Sequence, residues 1–99
     1  IEVNISINAT ALWQSPVAPL NTSYYQFKAN RSDEGTTFLY AASLTSWTNM
    51  SNVSTLAIVR LNHNNTNDTA AIDIRLVVPV SEPAVNKNSN VTFIGSETT

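Results

Sequence analysis

The chain has one histidine, His63, and no cysteine, and this limits its chemistry before any fold is considered. Nucleophilic catalysis needs a base within reach of the attacking group and a third residue to orient that base. Ser and Thr are abundant, at 11 and 12 residues, but the only imidazole lies in the Asn-rich run His63-Asn64-Asn65-Thr66-Asn67-Asp68-Thr69. His63 and Asp68 are five residues apart with no other strong ligand near them, short of a zinc site. The Asn62-to-Asp68 run is rich in oxygen but holds one carboxylate and no glycine, short of a calcium loop. It reads as a solvated hairpin turn. Asp33 and Glu34 are adjacent carboxylates, yet they fall at a predicted hairpin tip and read as solvated charges. Gly35 and Gly95 are the only glycines, so no phosphate-cradling loop exists. The expectation is no catalytic residue, no metal ligand, no cofactor and no enzyme.

The chemistry these residue types do allow is modification. Nine Asn residues begin Asn-X-Ser/Thr triplets: Asn4, Asn8, Asn21, Asn30, Asn49, Asn52, Asn64, Asn67 and Asn90. Chance placement of 13 Asn among 23 Ser and Thr gives about three such triplets. The excess predicts an N-glycosylated, extracellular surface. Trp13, Trp47, Tyr24, Tyr25 and Tyr40 raise a second possibility, a carbohydrate-binding face. Eight aromatics are about what a sandwich core consumes, so that reading requires Trp13 and Trp47 exposed on one flat face.

Charged residues make up 12% of the chain and the net charge is −2, with five scattered basic residues. That leaves no electrostatic footprint for nucleic acid and no basic amphipathic segment for an anionic membrane. No apolar run reaches about eighteen residues, so any membrane attachment comes from a segment absent from these residues. The chain starts at Ile1 rather than Met, which suggests that a signal peptide or anchor was removed. An apolar content of 42% supports a packed core, and residues 1–99 are expected to form a single β-sandwich domain.

The elements that must carry these residues are strands. In Ile1–Ala11 every odd position is apolar and every even one is polar, a half-buried strand. Pro16 and Pro19 make 15–23 a crossing loop. Tyr24–Ala29 is a second strand, and 30–35 is a turn closed by Gly35. Thr36–Trp47 reads as a third strand, with Phe38, Tyr40, Ala42 and Leu44 on one face, and Thr48–Ser54 as a loop. Leu56–Leu61 is a fourth strand, apolar on both faces except at Arg60. Ala70–Val80 is a fifth, ended by Pro79 and Pro83, with Ile72, Ile74, Leu76, Val78 and Val80 in strict alternation and the first three inward; Ser89–Gly95 is the last. No stretch keeps helical spacing. Six to seven strands joined by short turns predict an all-β, immunoglobulin-like antiparallel β-sandwich with essentially no helix.

Pairing the fourth and fifth strands as a hairpin, Leu61 with Ile72 and Val59 with Ile74, sets Arg60 opposite Asp73. Leu56, Ile58 and Val77 then lie outward beside Arg60 and Arg75, and apolar groups on a wet face suggest a covered interface.

The absence of Cys, the low charge, the Asn/Ser/Thr richness and the dense sequons on a lone sandwich resemble cell-surface proteins of archaea, especially acid-loving thermophiles. Among these the chain resembles the soluble domains of archaellum accessory (stator) proteins. The resemblance spans the whole chain and includes no diagnostic motif. It implies an anchoring module on the pseudoperiplasmic side, bound to a sister accessory protein, a surface-layer protein or itself. The alternative is a subunit of a surface filament or of the surface layer, in which a free Ile1–Ala11 strand is donated to a neighbour.

Overall fold

The computed structural model describes residues 2–63 and 68–98. Among them are six strands: β1 (Glu2–Ala9), β2 (Tyr25–Arg31), β3 (Thr48–Asn49), β4 (Thr55–Asn62), β5 (Ala70–Leu76) and β6 (Val91–Thr98). One short 3-10 turn covers Tyr40–Ala42. All ladders are antiparallel and form two three-stranded sheets, β4-β1-β6 and β3-β2-β5. The fold is an all-β sandwich.

The central strands follow from alternation. β1 turns Ile7 and Ala9 into the core and leaves Asn4, Ser6 and Asn8 on the other face. β2 supplies the facing row of Tyr25, Phe27 and Ala29. Phe38, Met50, Ala57 and Ile58 fill the space between the sheets. Phe27 is 1% exposed, and its burial contributes about 2–3 kcal/mol.

β4 is irregular. Val3 pairs with Leu61, Ile5 with Ile58 and Ser6 with Leu56, so the register slips by one residue twice. Each slip is a bulge, and each reverses the faces of the residues beyond it. Ala57 and Ile58, neighbours in the chain, are therefore both buried. Arg60 sits in the first bulge with φ +57, in the left-handed region. The two-faced apolar character of 56–61 is the sequence trace of these bulges.

Three expectations are overturned. Residues 36–47 do not form a strand; they bridge the two sheets. Leu39 N–H donates to Val59 O, Leu44 N–H to Ala57 O, Asn62 N–H to Thr37 O and Ala29 N–H to Leu44 O. The expected β4–β5 hairpin is also absent. β4 has β1 on one edge and the bridging segment on the other, so β5 pairs with β2, Phe27 opposite Ile74 and Lys28 opposite Asp73. Arg60 consequently meets Glu2, at 3.4 Å, instead of Asp73. Third, β5 ends at Leu76, and Val78 and Val80 lie exposed in the following loop.

These bonds make one curled ribbon, β6-β1-β4, the bridging segment, then β2-β5. Its two ends, β5 and β6, share no ladder. The radius of gyration is 15.0 Å, against about 13 Å for a compact chain of this length. The accessible area is 6021 Å², against roughly 5,500 Å² expected from the mass. The sandwich is elongated and open along one side.

Candidate functional site

The open side is built from two edge strands. Val77 N–H donates to Tyr24 O, so odd-numbered residues of β5 direct their backbone groups toward β2. Antiparallel alternation then leaves the N–H and C=O of Ile72, Ile74 and Leu76 on the free edge. The side chains of these three residues lie opposite Ala29, Phe27 and Tyr25, in the row that faces the other sheet. Ile74 is nevertheless 46% exposed and Leu76 54%. On β6, Phe93 is paired with buried Ile7, faces the same interior, and is 52% exposed. Each of these two strands therefore sets half-exposed apolar side chains beside an edge that forms no ladder among the described residues.

The outer face of β5 carries charge of both signs. Asp73 Oδ2 accepts from Asn30 Nδ2 at 3.1 Å. Arg75 lies 5.9 Å from the Trp47 ring, with Lys28 Nζ at 4.8 Å. Such contacts hold the indole by cation–π attraction.

One end of the open side is fixed by Glu82. Its carboxylate accepts the backbone N–H of Gln14 and Ser15 and meets Lys87 Nζ at 2.8 Å. Burial works against the charge of Glu82, but the Lys87 and backbone hydrogen bonds and the Lys87 charge outweigh it. Its pKa lies below the ordinary 4.5. Glu34 performs a similar tie at the other end of β5. Its Oε1 accepts from Asp68 N, Thr69 N and Thr69 Oγ1, so it is more than a solvated tip charge.

The patch expected from Leu56, Ile58, Val77, Arg60 and Arg75 does not assemble. Ile58 is 3% exposed, because the bulges turn it into the core. Leu56 shares its face with Ser6 on one sheet, whereas Arg75 and Val77 lie on the outer side of the other. Trp13 is part-buried and donates its indole N–H to Tyr24 O at 2.9 Å, and Trp47 is 38% exposed beside Lys28 and Arg75. His63 is exposed. Among the described residues, no three His, Asp or Glu side chains cluster as metal ligands would.

The sequon residues separate into two groups. Asn4, Asn8, Asn30 and Asn49 use their side-chain amides in hydrogen bonds. Asn21, Asn52 and Asn90 are exposed, and their side-chain amides bond to none of the described residues. Asn64 and Asn67, with the turn around them, lie outside the described residues.

Sequence reasoning missed Ile74, Leu76 and Phe93 as surface residues because strict alternation is the usual mark of a buried face. The available signal was the pair of opposite charges, Asp73 and Arg75, flanking Ile74 on one strand. No protein-family model, curated protein or solved structure matches this chain.

Proposed function

We propose that the chain is a non-enzymatic cell-surface domain that anchors a partner protein, and that the partner joins it along the open β5–β6 side. One observation carries this reading: half-exposed Ile74, Leu76 and Phe93 lie on strands whose outer edges form no ladder among the described residues. Such an edge accepts an added strand, with main-chain bonds giving affinity and the apolar row giving register. The sequon density supports placement outside the cell. The stator-like anchoring role, against a sister accessory protein or the surface layer, is the form of this reading that suits a closed association.

A filament or surface-layer subunit is the second reading. The two free edges favour it, since β5 of one copy against β6 of the next propagates without closing. β1 has no edge to donate, being paired with β4 on one side and β6 on the other.

Co-sedimentation of the domain with isolated surface-layer sheets of the source organism tests the proposal. The unaltered domain is expected in the pellet and the doubly substituted Leu76→Lys/Phe93→Lys domain in the supernatant. Equal pelleting of the two overturns the open side as the binding surface.

A further inference from the structure

We infer that the free edge of β5 binds β5 of a second copy of this chain, antiparallel about a two-fold axis at Ile74. The inference rests on the open side being an association surface, and it goes further by naming the occupant and its register.

The backbone allows it. Ile72, Ile74 and Leu76 direct their N–H and C=O outward from β5, and a two-fold at Ile74 sets Ile74 opposite the partner's Ile74. Ile72 then meets the partner's Leu76, and each of these pairs exchanges both backbone bonds. The half-exposed apolar residues find apolar neighbours across the axis.

The charges select this register. Asp73 lies opposite the partner's Arg75, and Arg75 opposite the partner's Asp73, so the pairing makes two unlike-charge contacts. Moving the axis to Asp73 puts two carboxylates together, and moving it to Arg75 puts two guanidinium groups together. Charges on an edge strand ordinarily block pairing with other chains. With Asp and Arg two residues apart they block the neighbouring registers and leave one open. The contact is isologous and closes after two copies. It extends β3-β2-β5 into a six-stranded sheet and leaves the β6 edge free.

Light scattering and sedimentation across a concentration series measure the dimer, with circular dichroism checking that each variant folds. Asp73→Arg and Arg75→Asp each turn both unlike pairs into like pairs and should weaken the dimer about tenfold or more. The double reversal restores unlike pairs and should recover affinity to within about threefold. Cysteine substitution reads the register separately, because the chain has no cysteine of its own. A hydrogen-bonded pair sets its Cα atoms about 5.5 Å apart, within disulfide range. Ile74→Cys should therefore cross-link under mild oxidation, and Asp73→Cys and Arg75→Cys should not.

A chain that stays monomeric throughout overturns the inference, as does cross-linking fastest at position 73 or 75. Mass that grows without limit overturns it too, and favours the filament. A monomeric chain that still pellets only with surface-layer sheets overturns the register and keeps the anchoring role, and a sheet-free control identifies pelleting by self-association, so the two failures are separable.

Discussion

Asn4 Oδ1 accepts the backbone N–H of Arg60 at 3.0 Å, and this bond caps the bulge that reshapes β4. A bulge removes one residue's N–H from the ladder and leaves it needing an acceptor. Asn4, directly across on β1, supplies it. Asn4→Ala should cost about 0.5–1.5 kcal/mol, and Asn4→Asp, which keeps the acceptor, should cost less. Ser6→Ala destroys the sequon but leaves the cap in place, so it should match the unaltered chain in urea unfolding. Equal loss from Asn4→Ala and Ser6→Ala would assign the effect to a glycan.

Glycan occupancy should follow the hydrogen bonding of the amides. Asn49 accepts from Gln26 Nε2 at 2.9 Å and donates to Asn21 O at 3.1 Å, so both its polar ends are engaged. Asn30 is held in the same way by Asp73 and the Arg31 N–H. Transfer to the folded domain should favour Asn21, Asn52 and Asn90 over Asn30 and Asn49. Glycopeptide mass spectrometry of native protein checks the order, and full occupancy at Asn49 with none at Asn52 contradicts it.

The Glu82 clasp gives a pH dependence of definite sign. A carboxyl held below its ordinary 4.5 in the fold contributes stability that is complete above that pH. The contribution is lost as pH falls below 4.5 and through the folded value. Glu82→Gln should lower the melting temperature at neutral pH. Its melting temperature should also fall less between pH 5 and pH 3 than that of the unaltered chain. Parallel melting curves across that range would remove Glu82 from the acid response.

Phe27 is the largest fully buried side chain among the described residues. Phe27→Ala should cost about 3–5 kcal/mol, a large part of the total stability of a domain this size. Denaturant titration should show a strongly reduced midpoint, and Phe27→Leu, which fills most of the cavity, should recover most of the loss.

Much of the fold was legible because alternation is a local property. The alternation in 1–11 and 24–29 announces half-buried strands, and β1 (Glu2–Ala9) and β2 (Tyr25–Arg31) are the central strands of the two sheets. Alternation does not say which strand an edge will meet. Residues 38–44 are apolar enough for a buried strand, yet their backbone bonds go to β4 and β2 in turn and break the regular ladder. Once that segment occupies β4, β5 must pair elsewhere, and the local hairpin fails for a reason remote from its own sequence. The candidate site was hidden by the same logic. Ile74 and Leu76 do face inward, as their spacing says, but no strand covers them from the side. Ile58 is the reverse case, an outward position in any regular strand that two bulges turn inward.

The pairing of Glu2 with Thr98 joins residues 96 apart in sequence. β1 lies at the centre of its sheet, so an early strand is completed by one made some ninety residues later. A nascent chain that has not yet reached β6 holds β1 with a bare edge, and a long-range contact of this kind is slow to form. Completion of this sheet thus waits for residues 91–98, and until they have emerged β1 keeps an unpaired edge that its polar even-numbered residues must keep soluble.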